Sequence, residues 1–416
     1  MRHSTMFLSA LGVEQAVLQD LHFETQPDGQ QALVVRVRPT RKQASRCAHC
    51  GKRCPGYDLG DGLRRWRGVD LGLSCTFVEC FAPRVCCAVH GVGVRRVPWA
   101  RRGSGFVRAF EDQVAWLAVR TDRTTLSSLM RIAWRTVGAI LERVTDAALK
   151  TRDPLQGVVR IGIDEVSYRK GHKYLTVVLD HDTGRLLWAC PGHDEATLRK
   201  FFDQLGPTRT AKLQLVSADA ASWIASVVRQ LAPQAVLCLD PFHIVKWAQE
   251  ALNEVRREVW NQLRRDGKQE QADSLKRSRW ALGKNPEDLT DRQRLKLSQI
   301  ERDNQPLFRA YLLKEQLRSV FQYSGAAASV QLSGFLVLCQ NSHLDPFLKL
   351  AKSIRAHRPG IEAALRHGLS NARVEAANTK IRLLCRLAYG FHSPAPLIAL
   401  ALLKLGGLCP PLPGRG

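Results

Sequence analysis

The sequence predicts an α/β protein in three parts. A small cysteine-rich domain comes first, then a three-helix segment, then a larger domain in which strands and helices alternate before a long helical insertion. Three observations predict it. Seven of the 12 cysteines fall between Cys47 and Cys87. Apolar residues take helical spacing from Phe106 to about Lys150. Beyond Pro154, β-branched and aliphatic runs bounded by turn residues recur with amphipathic stretches between them.

A chain of 416 residues has room for about three domains of roughly 150 residues each. Lys plus Arg number 62 against 38 Asp plus Glu, a formal charge of +24 and a pI near 10.0. That excess exceeds what solubility needs and points to a polyanionic partner, most simply nucleic acid. No apolar run approaches the roughly 18 to 20 residues needed to span a bilayer, and the Phe7–Val13 stretch is short, interrupted and followed by Glu14. The reading is a cytoplasmic protein, associated with the nucleoid when bound to DNA. In such a chain, clustered cysteines suggest metal rather than disulfides.

Residues 1–100 are expected to form the first domain. Ala32–Arg38 is strand-like, and a basic run then leads into Cys47-Ala-His-Cys50-Gly51, half of a zinc knuckle. Two further strand-like stretches, Arg64–Leu71 and Cys75–Cys80, precede Pro83-Arg-Val-Cys-Cys-Ala-Val-His90-Gly91, which supplies Cys87 and His90 at the same two-residue spacing. Two such pairs can close a tetrahedral site of thiolates and imidazole around structural Zn²⁺. The candidate ligands are Cys47, Cys50, Cys87 and His90. Cys54 and Cys86 are rivals, while Cys75 and Cys80 fit buried strand positions. The basic segment Trp99–Gly105 reads as a linker.

Residues 106–150 carry three apolar faces: Phe110, Val114 and Leu117; Leu126, Leu129 and Met130; and Val137, Ile140, Leu141 and Val144. Thr124 and Thr125 suit an N-cap before the second helix, and the third opens near Trp134. The pattern fits a helix-turn-helix whose last helix enters a major groove, with Arg131, Trp134, Arg135 and Thr136 near the bases. A plain three-helix bundle is the alternative.

Residues 155–400 are expected to form the third domain. Val158–Ile163 is strand-like and ends at Asp164. The strands His172–Asp180 and Arg185–Cys190 complete a meander. A helix over 195–205, a strand at Leu213–Ser217, a helix over 222–231 and a strand at Ala235–Leu239 ending at Asp240 follow. The order β-β-β-α-β-α-β is that of an RNase H-like domain, whose active site gathers carboxylates from the first and fourth strand ends and from a later helix. From about 245 to 368 helical spacing dominates, an insertion. Leu369–Arg382 then resumes as a helix with Glu375 in its first turns and Lys380, Arg382 and Arg386 close by, before a loose tail at Cys409–Gly416.

The knuckle, the Pro83–Gly91 block, Pro98-Trp-Ala100, Gly162-Ile-Asp-Glu165, Asp240-Pro-Phe-His-Ile-Val-Lys246, Ser370-Asn-Ala-Arg-Val-Glu375 and Ala388-Tyr-Gly-Phe391, in this order, resemble insertion-sequence transposases of the ISL-three type over nearly the whole chain. The resemblance implies a zinc-binding domain, a helix-turn-helix that helps bind terminal inverted repeats, and a DDE catalytic domain that cleaves DNA and joins strands. It implies Mg²⁺ or Mn²⁺ held by Asp164, Asp219 and Glu375, since hard cations take oxygen ligands. Asp240 competes with Asp219 for the second position. Topology favours Asp219, and Asp240-Pro-Phe-His243 looks like an accessory motif in which Asp240 and His243 support the site. Lys380 and Arg382 are expected on DNA, both terminal repeats and target, with a dimer or larger assembly holding two ends. The alternatives are a zinc-containing transcriptional regulator or an inactive relic. No nucleophile context for a serine or tyrosine recombinase is present.

Overall fold

A computed structural model describes residues 3–276 and 278–415. The chain divides into two compact units. One comprises the residues up to Pro154 together with those from Ile381 on, and the other is Leu155–Lys380.

The first unit opens with α1 (His3–Ala10). Strands β1 (Ala16–Thr25), β2 (Gln31–Pro39), β3 (Gly56–Asp58), β4 (Leu63–Arg67), β5 (Cys75–Phe81), β6 (Arg84–Cys87) and β7 (Gly91–Val94) build two sheets, ordered β1-β2-β5-β4 and β3-β6-β7. The predicted strand at 32–38 is central: Ala32–Val35 and Val37 are all buried, as a strand covered on both faces requires. Three helices follow, α2 (Arg108–Ala118), α3 (Arg123–Met130) and α4 (Trp134–Leu149). Their expected apolar faces are buried except at Leu117, which is half-buried, and Leu129, which is exposed. The cap of α3 is Asp122 rather than a threonine, its Oδ1 accepting the N–H groups of Thr124 and Thr125 at 2.9 and 3.0 Å. Nor does Trp99–Gly105 behave as a linker. Trp99 is buried edge-on against Trp66, and Arg101 pairs with the fully buried Glu111 at 3.1 Å, which Arg143 also meets at 2.7 Å.

The second unit is built on a five-stranded sheet of β8 (Arg160–Arg169), β9 (Lys173–Asp180), β10 (Leu186–Pro191), β11 (Leu215–Ala218) and β12 (Val236–Leu239), ordered β10-β9-β8-β11-β12. The meander β8-β9-β10 is antiparallel; β11 and β12 run parallel to β8. Between the strands lie α5 (Glu195–Leu205), the single turn α6 (Pro207–Thr210) and α7 (Ser222–Leu231). A core of Ile161, Ile163, Val178, Phe201, Val216, Ile224 and Val227 binds α5 and α7 to the sheet.

The insertion is helical throughout its described residues. It comprises α8 (Pro241–Arg265), α9 (Gln269–Lys276), α10 (Arg279–Gly283), α11 (Asp291–Asp303), α12 (Gln305–Val320), α13 (Gly325–Gln340), α14 (Asp345–Ala356) and α15 (Arg358–His367) around its own core, including Leu252, Val255, Leu307, Leu317, Phe335 and Phe347. Helix α15 returns to the sheet at β12, where Gly360 permits close approach: a Cβ there would lie 2.7 Å from Leu239 Cγ. Then comes α16 (Ala372–Leu387), within which the boundary between the units falls, and α17 (Pro394–Leu405). The expected third domain and the compact unit therefore part at Ile381. Buried Leu397, Leu400 and Leu403 seat α17 in the first unit with α4, where Gly138 gives room to Pro396.

Candidate active site and metal centre

In the first unit, Cys47, Cys50, Cys87 and His90 bring four ligand atoms within 4.8 Å of one another. The Sγ atoms of Cys50 and Cys87 are 3.8 Å apart, and Cys87 Sγ is 3.6 Å from His90 Nδ1. A zinc tetrahedron with metal–sulfur bonds of about 2.3 Å has sulfur–sulfur edges of about 3.8 Å, so the donor set fits that ion. Local structure explains the geometry. Gly51 at φ 69° closes the knuckle, and the His49 N–H points at Cys47 Sγ at 3.4 Å. On β6 alternate residues face inward, so Cys87 is buried and Cys86 exposed. Hydrogen bonding to His90 pulls the Cys87 thiol down to about 6, toward the thiolate a metal binds. Of the rivals, Cys54 packs with Cys47 and Cys87 and donates to the Lys52 carbonyl, while Cys75 and Cys80 occupy β5.

In the second unit, Asp164 does not end its strand as expected. β8 continues to Arg169 against β9, but its pairing with β11 stops at Gly162. Asp164 thus stands two residues beyond the last β8–β11 pair, where the parallel part of the sheet ends. Asp219 follows β11 directly and Asp240 follows β12 directly, and the register Ala218↔Leu239 sets the two side by side. Burial pushes the Asp164 carboxyl up to about 6, against the Glu165 N–H bond that lowers it; Asp219 and Asp240 also raise it and His243 lowers it. These three candidates and His243 therefore share one field.

The two contested aspartates differ in their partners. Asp240 is buried, and both its oxygens are engaged: Oδ2 with His243 Nδ1 at 3.0 Å, Oδ1 with the Asn371 N–H at 3.1 Å. The bond to Asp240 raises the His243 pKa. Asp219 is half-buried and accepts the Ala221 N–H on Oδ1 at 3.0 Å. Glu375 is exposed on the first turn of α16.

Sequence reasoning missed four residues here. Asn371 precedes α16 and accepts the Glu375 N–H at 2.8 Å on its carbonyl, while its side chain bonds Ser217 Oγ and reaches the Ile163 carbonyl at 3.4 Å. Asn378, three residues after Glu375, donates Nδ2 to Asp164 Oδ2 at 2.8 Å. Their signal was spacing: −4 and +3 from Glu375 are one helix face. Gly162 is the third. A Cβ there would lie 2.4 Å from Val374 Cγ2 and 2.9 Å from His181 Nε2, so only glycine lets α16 reach the sheet. Glu165 is the fourth. Burial, then Asp219 and Asp164, push its carboxyl up to about 7. Asp180, Asp182 and Asp194 are occupied elsewhere, in the β9–β10 turn, with Arg160 and as the α5 cap.

Along the helix-turn-helix, three residues separate α3 from α4, the connection such motifs use. Arg135 is exposed and Thr136 half-buried at the start of α4. Trp134 lies against Arg123 and Phe391, and Arg131 turns back to Cys75 Sγ and the Leu73 carbonyl. Lys380 and Arg382 are exposed on α16. Among the described residues no helix is long and apolar enough to cross a membrane.

Comparison with known proteins bears on two of these regions. A family profile described as transposase matches residues 161–401, and one described as the helix-turn-helix domain of transposase family ISL3 matches residues 95–145. The chain is 50% identical over 436 residues to the transposase for insertion sequence element IS1557 of Mycobacterium tuberculosis, covering 100% of this chain and 98% of the relative. It is 28% identical over 370 residues to the transposase for insertion sequence element IS1001 of Bordetella parapertussis, covering 88% and 89%.

Proposed function

The chain belongs to transposase family ISL3, and from that premise we propose that it binds the terminal inverted repeats of an insertion sequence, cleaves the DNA strand there and joins the freed 3′-hydroxyl to target DNA. The observation that carries this reading is the convergence of Asp164 and Asp219 where the parallel strands end, with the helix bearing Glu375 bonded to Asp164 through Asn378. The strand order, with the second strand antiparallel to the first and the fourth and fifth parallel to it, supports an RNase H-like catalytic domain.

Asp164, Asp219 and Glu375 are the proposed ligands of catalytic Mg²⁺ or Mn²⁺. The donor set is all oxygen, which suits hard cations, and burial first, then neighbouring carboxylates, raises the carboxyl pKa of Asp164 and of Glu165 beside it. When bound, the cations activate the attacking water or 3′-hydroxyl and neutralise charge on the leaving oxygen. Asp240 and His243 hold the start of α16, and with it Glu375, at the edge of the sheet. Structural zinc on Cys47, Cys50, Cys87 and His90 holds the small β-sheet of the N-terminal domain. Arg135 and Thr136 on α4 are the proposed base readers, with Arg131 and Trp134 beside them. Lys380 and Arg382 contact backbone phosphates, and two copies or more hold the element ends together.

The test is nicking of end-labelled duplex carrying the element's own terminus, with Mg²⁺ or Mn²⁺. Metal-dependent nicks at the terminus in wild type, abolished in D164N, D219N and E375Q, support the reading. A folded wild type that binds the terminus and never nicks it overturns the enzymatic part.

A further inference from the structure

The family reading supplies three carboxylates and says nothing of what holds the helix carrying Glu375 in register with the sheet. Two asparagines flank Glu375 on one helix face, Asn371 and Asn378, and each is only 2% exposed. Full burial of an amide side chain is uncommon and demands partners. Asn371 has them in Ser217 and the Ile163 carbonyl, while its backbone N–H donates to Asp240. Asn378 has one, Asp164 Oδ2, to which Nδ2 donates at 2.8 Å; its Oδ1 is enclosed and without a partner among the described residues.

This orientation of the amide is the one electrostatics requires, because the reverse would set the amide oxygen against a carboxylate. Asp164 then has one bond on each oxygen, Oδ1 from the Glu165 N–H at 2.7 Å and Oδ2 from Asn378. A carboxylate held at both ends cannot rotate, yet each oxygen keeps a lone pair for another ligand. Such outer contacts orient metal ligands and tune the affinity of the site.

We propose that Asn378 is a positioning residue for the metal centre. It fixes the plane of the Asp164 carboxylate and, being one turn from Glu375, locks the register of α16 against β8 so that both acids face the same cations. The proposal rests on the metal-binding reading of Asp164, and its test separates the two.

Mn²⁺ binding to the DNA-free full chain is measured by calorimetric titration for wild type, N378A, N378S and D164N, beside melting temperature and the Mg²⁺ concentration giving half-maximal nicking. N378A is expected to bind Mn²⁺ about 10- to 100-fold more weakly and to need correspondingly more Mg²⁺, with end binding unchanged. N378S, which keeps a short donor, should recover part of that loss. Wild-type Mn²⁺ affinity in a folded N378A overturns the proposal whatever its nicking rate. Should N378A fail to fold, the same two readings on N378S decide, wild-type values again overturning it. D164N binding Mn²⁺ as wild type does would instead remove the metal reading beneath it.

Discussion

Asp219 and Asp240 stand one residue beyond the paired ends of adjacent parallel strands, Ala218 and Leu239, yet only Asp240 has both carboxylate oxygens committed to protein partners. Position along the sheet does not distinguish them; what each already holds does. D219N is therefore expected to lose nicking by on the order of 10³-fold, the equivalent of several kcal/mol of transition-state stabilisation, at unchanged melting temperature. D240N should instead cost about 1.5 to 3 kcal/mol of stability, since the Asn371 N–H loses a charged acceptor. Single-turnover nicking and thermal melts on both variants check this; a stable, inactive D240N beside an active D219N would reverse the assignment.

The raised carboxyls make metal-free stability depend on pH. Asp164 goes from 3.8 to about 6 and Glu165 from 4.5 to about 7, so between roughly pH 4 and 7 the folded chain holds protons that the unfolded chain releases. Stability then falls as pH rises through that window. D164N removes the group, and should be more stable than wild type at pH 8 without divalent metal, by on the order of 2 kcal/mol. Melting curves from pH 4 to 8 in chelator check it. A wild type that gains stability over the window, with D164N no better at pH 8, contradicts the burial of these acids.

Gly162 limits how near α16 can come. With a Cβ there only 2.4 Å from Val374 Cγ2, G162A must push the helix outward and carry Glu375 with it. A misplacement of about 1 Å can cost about 10²-fold in rate, so nicking should drop by at least that much while end binding persists. The double variant G162A/V374A should recover part of the loss. Equal activity of G162A and wild type would show that this contact does not set the position of the helix.

Zinc and magnesium should be separable. One zinc per chain is expected by elemental analysis, lost in C50S and C87S and kept in C86S, whose thiol faces outward. Because metal binding is coupled to the folding of such small domains, stripping zinc should expose the first 100 residues to limited proteolysis and abolish end binding, with the far-UV signature of the helical insertion preserved. Retention of zinc in C87S would favour Cys54 as the fourth ligand.

At the start of α4, R135A should weaken end binding and reduce the salt slope by about 1 if Arg135 meets a phosphate, or relax sequence preference at one position if it meets a base. R131A behaves differently in this fold. Its guanidinium is tied to Cys75 Sγ at 3.3 Å and the Leu73 carbonyl at 3.4 Å, so its loss should lower melting temperature as well as affinity. Binding titrations at several salt concentrations, paired with melts, distinguish the two residues.

What the sequence by itself determined was whatever local pattern and spacing control. Two C-x-x-C/H pairs bring four ligands together because a knuckle turn and a hairpin each present two at fixed separation. The faces of α2 and α4 follow from helical spacing, and the order of strands and helices on the central sheet follows from patterning that changes between period two and period 3.6. Only the tertiary structure decided matters that depend on partners distant in sequence. Whether a threonine or Asp122 caps α3, whether Trp99–Gly105 is loose or buried, and where β8 ends its pairing with β11 are all settled by packing. So is the difference in partners between Asp219 and Asp240, since the backbone N–H that Asp240 accepts lies 131 residues away at Asn371. Asn378 could not be read as a neighbour of Asp164 because 214 residues separate them; helical spacing placed it on the face of Glu375, but the contact exists only once Gly162 has let that helix onto the sheet.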